Sequence, residues 1–100
     1  MTEIKSGIPV RLHLWVTGHV QGVGFRSFVQ QSGVLFGLSG WVRNVGYYTV
    51  ETVAEGSREG LEKFAEVVKN GPRASRVDET RIEWGAASGE FPNFGVKYSA

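Results

Sequence analysis

The sequence predicts an α+β fold in which two helices pack on one face of an antiparallel sheet. Several segments alternate apolar and polar residues, which is typical of half-buried strands, and two segments carry apolar residues at helical spacing. These segments follow one another in the order β-α-β-β-α-β, with one more short strand at the end. That order is the split β-α-β arrangement of ferredoxin-like folds, in which right-handed crossovers place both helices on the same face.

The first half of the chain is predicted to contain a strand, a helix and a hairpin. The strict alternation over Val10–Val16 predicts the first strand. Residues 25–36 have the apolar stripe of an amphipathic helix, and Gly37 is its expected stop. Strands are then predicted over residues 40–45 and 48–55, and the short link between them makes these strands neighbours in the sheet.

The second half is predicted to add a helix and two strands. Ser57 is the expected N-cap of the second helix, and residues 70–72, Asn-Gly-Pro, are expected to end it. The apolar stripe of this helix consists of Leu61, Phe64, Ala65 and Val68. A fourth strand is predicted over Val77–Trp84, and the alternation of Phe94, Val96 and Tyr98 predicts a short final strand.

The link between the second and third strands predicts a tight turn. Gly46-Tyr47 is expected to form a two-residue type II′ loop with glycine at its first central position. Tyr48 would then begin the third strand and pair with Val45.

Length and composition limit what the protein can be. One hundred residues hold one small domain, and 41% hydrophobic residues suffice for a packed core. The absence of cysteine excludes disulfides and a thiolate nucleophile. We expect a flexible N-terminal tail over residues 1–9 and a single domain over residues 10–100. A cytoplasmic location is expected, because the N-terminus is polar and no apolar run approaches the roughly 20 residues of a membrane span.

Charge is distributed unevenly along a chain whose net charge is only +1. No carboxylate occurs between Glu3 and Glu51, whereas this stretch contains Arg11, Arg26 and Arg43. The site built by this stretch is therefore expected to be electropositive and suited to a small anion.

The segment that joins the first strand to the first helix has the residues of an anion-binding loop. It reads Gly18-His19-Val20-Gln21-Gly22-Val23-Gly24-Phe25-Arg26. Its glycines allow consecutive backbone amides to turn inward, and the helix N-terminus adds unpaired donors. The planar guanidinium of Arg26 can bind two oxygens of a phosphate group. The alternative is a tight strand-to-helix turn with a solvated arginine.

The spacing of His19, Val20, Arg26 and Ser27 is that of the phosphate loop in cysteine-dependent phosphatases, but Val20 stands at the position of the nucleophilic cysteine. Covalent phosphoryl transfer is therefore not expected. Without a nearby carboxylate as base or metal ligand, a reaction here needs water and an already reactive phosphate ester or anhydride. Acyl phosphates meet this condition, since they need only orientation and charge neutralisation to hydrolyse.

Two segments together carry a resemblance to a known family. The glycine-rich segment 18–26, followed by Gly40-Trp41-Val42-Arg43-Asn44, closely resembles the two signatures of the acylphosphatase family, and the resemblance spans roughly residues 10–98. It implies the ferredoxin-like fold and hydrolysis of a small acyl phosphate by direct attack of water, with no metal, cofactor or phosphoenzyme. It also implies that inorganic phosphate or sulfate competes for the site, and that the protein is a monomer.

The resemblance also implies roles for individual residues. Arg26 and the backbone amides of the loop would bind the phosphoryl group, and Asn44 would position the attacking water. The loop residues concerned are Gln21, Gly22, Val23, Gly24 and Phe25. The chain departs from the second family signature at Tyr48, where that signature usually has glycine.

Neighbouring residues receive more ordinary interpretations. Asparagine before a hairpin turn is common for backbone reasons alone, so only the resemblance favours a catalytic role for Asn44. Arg43 should face away from Asn44 and act as a surface charge. His13 and His19 are too far apart in the pattern to form a metal pair, and neither is assigned a proton-transfer role. The large aromatic residues are interpreted as packing: Trp15, Trp41, Trp84, Phe28 and Phe64.

Two alternatives to an enzyme remain open. Residues 22–28 superficially resemble the aromatic signature of RNA-recognition domains, which share this topology. That signature belongs on the third strand, however, and here the third strand carries Glu51 and Glu55, which would repel a phosphate backbone. Acylphosphatase-like domains also occur as modules of larger carbamoyl-transfer proteins, although the length of the chain favours an independent domain.

Overall fold

A computed structural model of the chain describes residues 7–100. Its elements follow the predicted order: β1 (Val10–His19), α1 (Phe25–Leu35), β2 (Ser39–Val45), β3 (Thr49–Gly56), α2 (Arg58–Asn70), β4 (Arg76–Ala86) and β5 (Phe94–Val96). The first six residues of the predicted N-terminal tail lie outside the described residues. Within residues 7–100, no helix has both the length and the hydropathy needed to cross a membrane.

The strands form one sheet in the order β4-β1-β3-β2-β5. The pairs β1–β3, β1–β4 and β2–β3 are antiparallel, as predicted, but β5 runs parallel to β2, so the sheet is mixed. The path of the connection explains the direction of β5. β4 ends with Ala86 opposite Val10, at the end of the sheet where β2 begins, and β5 enters the sheet there with Phe94 opposite Gly40.

A single hydrophobic core lies between the sheet and the helices. Alternate residues of β1 point into it, namely Leu12, Leu14 and Val16, each at most 1% exposed. Both helices contribute to the same cluster, α1 through Phe25 and Val29 and α2 through Leu61, Phe64, Ala65 and Val68. The two helices therefore cover one face of the sheet, which confirms the predicted ferredoxin-like α+β fold.

The turn between β2 and β3 differs from the prediction. Val45 pairs with Thr49, so Gly46, Tyr47 and Tyr48 form a three-residue loop. The two-residue turn and the pairing of Val45 with Tyr48 were wrong. Tyr48 is held by β1 instead, because its carbonyl accepts a hydrogen bond from the Gly18 amide at 2.9 Å. Gly46 has φ 59°, so the turn does begin with glycine in the left-handed region.

Candidate active site

The glycine-rich loop leaves β1 with its backbone facing open space. Gly22 and Gly24 have φ 75° and 76°, and a Cβ at either position would have no neighbour within 4 Å. The positive φ angle therefore favours glycine at these two positions, although there is room for a larger side chain. Val20, which occupies the cysteine position of the phosphatase pattern, is fully buried in the core. Its side chain anchors the loop together with the buried Phe25, whereas Gly22 and Gly24 are exposed.

The two helices begin in opposite ways. In α2, the Ser57 Oγ caps the first turn by accepting from the Gly60 amide at 3.0 Å, as predicted, and Glu59 lies in that turn. In α1, the N-cap is Gly24, which offers no side-chain cap, and the first turn contains no acidic residue. The Phe28 amide donates to the Gly24 carbonyl at 3.1 Å, and the amides before it have no carbonyl within the helix. The positive end of α1 is thus available to an anion.

Arg26 lies in this first turn and is half-buried. Among the residues that the structure describes, its guanidinium forms no ion pair and no hydrogen bond. Among the described residues, the exposed Arg73 also has no such partner, whereas five other arginines are paired with carboxylates: Arg11, Arg43, Arg58, Arg76 and Arg81. The charge of Arg26 is therefore uncompensated beside the uncapped helix end, where a planar, two-pronged donor suits phosphate oxygens.

The side chain of Gln21 ties the loop to the β2–β3 hairpin. Its Nε2 donates to the Thr49 carbonyl at 2.9 Å and to the Gly46 carbonyl at 3.2 Å. The sequence analysis considered only the backbone amide of Gln21 and missed this contact. Its partners lie more than twenty positions further along the chain, so no local sequence pattern predicts these contacts.

Asn44 lies on β2, opposite Val50 of β3. Because side chains alternate along a strand and Val42 is buried in the core, the Asn44 side chain belongs to the face covered by the helices. It is half-buried, and its carboxamide has no hydrogen-bond partner among residues 7–100. Arg43 points to the opposite face, where its Nε donates to Glu51 Oε1 at 2.7 Å.

A cavity of about 730 Å³ adjoins Arg26. Its other lining residues are Arg43, Val96, Lys97 and Tyr98. The cavity thus brings Arg26 together with the chain that follows β5, whereas Asn44 and loop residues 21–25 are not part of its lining. The sequence analysis did not assign Lys97 or Tyr98 to a site, because the parallel pairing that brings them beside β2 was not predicted.

The opposite face of the sheet contains a buried carboxylate that the sequence analysis had interpreted only as repulsive. Glu51 is 6% exposed and contacts His13 Nε2 at 2.6 Å as well as the Arg43 guanidinium. Burial alone would raise the pKa of Glu51, but the hydrogen bonds from His13 and Arg43 hold it below its ordinary value. Glu51 therefore stabilises the centre of the sheet as a charged group.

A second buried carboxylate, Glu55, anchors the connection to β5. It accepts from the Ser88 and Gly89 amides at 2.9 and 3.0 Å, and from Arg11 Nε at 2.8 Å. Burial would raise the pKa of Glu55, and these donors lower it below the ordinary value. This contact fixes the loop that carries the chain across the end of the sheet.

The described residues contain no group of three or more His, Asp or Glu side chains that could hold a metal ion. His13 is engaged with Glu51 on the open face, and His19 lies at the end of β1.

The family model and the related sequences all point to one protein family. The acylphosphatase family model matches residues 12–96. An acylphosphatase from Pyrobaculum islandicum is 43% identical over 88 residues, covering 87% of this chain and 93% of the relative. One from Thermus thermophilus is 46% identical over 79 residues, covering 79% of this chain and 90% of the relative.

Solved structures show the same likeness. The acylphosphatase from Bacillus subtilis superimposes with a TM-score of 0.85 at 37% identity, covering 89% of this chain and 99% of that one. HypF from T. kodakarensis matches with a TM-score of 0.75 at 34% identity, covering 86% of this chain but 11% of HypF. The fold, the family model and these relatives agree, and the chain belongs to the acylphosphatase family.

Proposed function

We propose that this protein hydrolyses acyl phosphates at the N-terminus of α1, with Arg26 and the amides of residues 21–25 binding the phosphoryl group and Asn44 positioning the water. The observation that carries the proposal is an uncapped helix end next to an arginine without a partner among the described residues. Family membership supplies the reaction, and the Gln21 contacts hold the loop against the hairpin that follows Asn44.

The chemistry follows from these groups. A water oxygen forms a bond to phosphorus while the bond between phosphorus and the acyl oxygen breaks. The carboxylate leaves with the electron pair, and the proton of the water is released to solvent. A carboxylate is a good leaving group, so the protein must mainly orient the water and neutralise the equatorial oxygens. The Asn44 carboxamide can accept from water and donate to substrate without changing charge.

The RNA-binding alternative is not favoured. Both aromatic rings that β1 and β2 place on the open face of the sheet are covered by cations of the chain itself. The Arg81 guanidinium lies 4.5 Å from the Trp15 ring centroid, and Lys97 Nζ lies 4.4 Å from that of Trp41. On the same face, β3 carries the buried Glu51 and Glu55. Among the described residues, neither tryptophan ring of this face is therefore free to stack on a base, and stacking on free aromatic rings is what single-stranded RNA requires.

We further propose that the enzyme acts as a cytoplasmic monomer without a metal or cofactor. The loop supplies the charge that a metal would otherwise provide, through main-chain amides and Arg26. Inorganic phosphate and sulfate have the same tetrahedral geometry as the transferred group, so both should compete with substrate.

One assay tests the proposal. Benzoyl phosphate should be hydrolysed at an unchanged rate in excess chelator, and inorganic phosphate should inhibit competitively. Failure to hydrolyse benzoyl phosphate would contradict the proposed reaction, and RNA binding without hydrolysis would favour the alternative. Recovery of a chelator-inhibited enzyme by added metal would contradict the metal-free site.

A further inference from the structure

The cavity beside Arg26 is where the acyl part of a substrate can lie. This inference rests on the proposed function, in which Arg26 holds the phosphoryl group. Arg26 is also one wall of the cavity, so an acyl chain attached to that phosphoryl group can extend past Arg26 toward the remaining walls. Those walls are supplied by Arg43 from β2 and by Val96, Lys97 and Tyr98 near the end of the chain.

The cavity lining is cationic and contains no carboxylate. Arg43 is largely compensated, because Glu51 accepts from its Nε at 2.7 Å. Lys97 is different: its Nζ lies over the Trp41 ring, and within residues 7–100 it forms no ion pair. A cation–π contact orients the ammonium group without neutralising its charge. Beyond Arg26, the cavity therefore presents one uncompensated cation next to the apolar surface of Val96 and Tyr98.

The backbone keeps Lys97 in this position. Its amide donates to the Val42 carbonyl at 2.8 Å, which extends the pairing of Val96 with Val42 by one residue. Further along, the Ala100 amide donates to the Asn44 carbonyl at 2.9 Å. The segment after β5 is thus fastened along β2, so its position is set without substrate, which lowers the entropic cost of recognition.

We propose that Lys97 is a specificity-determining residue, and that the enzyme favours acyl phosphates whose acyl chain ends in a carboxylate. A few methylene groups would pass the Val96 and Tyr98 side chains, and the terminal carboxylate would reach the Lys97 ammonium group. A neutral acyl chain of the same length gains the apolar contact alone.

The test compares two substrates of equal carbon number, succinyl phosphate and butyryl phosphate. The wild-type enzyme should have the higher kcat/KM for succinyl phosphate. Lys97→Gln should lower that value by about three- to fivefold, the range for a partly exposed ion pair, and Lys97→Glu by about tenfold or more. Lys97→Gln should keep kcat/KM for butyryl phosphate within about twofold, because Lys97 does not touch the phosphoryl group.

Lys69 provides the matched control. It is an exposed lysine in the last turn of α2 and does not line the cavity. Lys69→Gln and Lys69→Glu have the same charge changes and should leave the ratio of the two substrates unchanged. Circular dichroism checks that each variant is folded.

The outcomes separate the two proposals. Equal kcat/KM for both substrates in the wild type, or an equal loss for both in Lys97→Gln, would overturn the role of Lys97 and leave acyl phosphate hydrolysis intact. A change of the ratio in the Lys69 variants as large as that in the Lys97 variants would overturn it too, because the effect would be one of net charge. Hydrolysis of neither substrate would overturn the proposed function and this inference together.

Discussion

At the scale of single residues, the candidate site depends on one cation and one amide. Arg26→Ala should lower kcat/KM for benzoyl phosphate by about 10³-fold and abolish inhibition by phosphate, because the uncompensated positive charge that is proposed to bind the phosphoryl group is lost. Arg26→Lys should recover little, since an ammonium group lacks the two-pronged geometry of guanidinium. Steady-state kinetics with phosphate as inhibitor measures both effects.

Arg73 is a suitable control for the loss of an arginine. It is exposed in the connection between α2 and β4, away from the cavity lining. Arg73→Ala should leave both kinetic values within about twofold of the wild type. A loss of only a few fold in Arg26→Lys would remove the argument for a guanidinium clamp.

Asn44 should affect turnover rather than binding. Asn44→Ala should lower kcat by about 10²-fold while the inhibition constant of phosphate stays near its wild-type value, because the residue is proposed to hold water and not the phosphoryl group. Asn70→Ala, at the exposed end of α2, removes the same side chain from a residue with no proposed role at the site and serves as control. Equal losses of turnover and phosphate binding would identify Asn44 as a ligand of the substrate instead.

At the scale of elements, the left-handed conformation of Gly46 predicts how much the fold loses in stability when this glycine is replaced. Gly46→Ala should destabilise the fold by about 1 kcal/mol, because φ 59° is strained for alanine. The new Cβ would meet nothing within 4 Å, so a loss of stability can be attributed to backbone conformation and not to a steric clash. Urea unfolding measures the difference in free energy.

Gly85 is the matched control for this substitution. A Cβ there also has nothing within 4 Å, and Gly85 is not among the glycines with positive φ. Gly85→Ala should therefore be neutral or stabilising, by up to about 1 kcal/mol. An equal loss in both variants would mean that the turn conformation of Gly46 is not the cause.

Periodicity explains why most elements could be predicted and why some details could not. Alternation over Val10–Val16 identifies which side chains are buried, but it carries no information about the neighbour of each strand. The parallel position of β5 and the register of Val45 with Thr49 depend on long-range pairing, so the direction of the final strand was not predicted and the predicted two-residue turn was wrong. Helix boundaries were predicted better, because caps such as Ser57 are local in sequence.

The site shows the same division between local and long-range information. Motif residues such as Arg26 and Asn44 could be named from two continuous segments of sequence. The residues that support or extend the site could not, because their partners are distant along the chain: Gln21 with the hairpin, and Lys97 beside β2. Glu55 was recognised as acidic, but its burial beneath the Ser88 and Gly89 amides was not predicted.

At the scale of the whole molecule, the buried carboxylates make the free energy of unfolding depend on pH. The pKa values of Glu51 and Glu55 lie below the ordinary 4.5 in the folded protein. Their stabilisation is therefore complete above pH 4.5 and is lost as the pH falls through the lowered values, because the unfolded state takes up protons first. The free energy of unfolding in urea should be level above that pH and decline below it.

Glu55→Gln makes this prediction specific. The variant should be less stable than the wild type near neutral pH, since the charged acceptor for the Ser88 and Gly89 amides is lost. The difference should shrink as the pH falls below 4.5 and through the lowered pKa of Glu55, because the wild-type carboxyl then also becomes neutral. A difference that stays constant over this range would show that charge at Glu55 is not what stabilises the connection.

The contact between Gln21 and the hairpin also has a consequence for the time course of folding. Gln21 joins the loop to the carbonyls of Gly46 and Thr49, and β3 of this hairpin pairs with β1. We therefore expect the loop to reach its final shape only after this part of the sheet has formed. Contacts between such distant parts of a chain form slowly, because the loop between them must close first. Catalytic activity during refolding should therefore return together with native tertiary structure, and after the helical signal. The return of catalytic activity can therefore serve as a measure of when the β-sheet is complete.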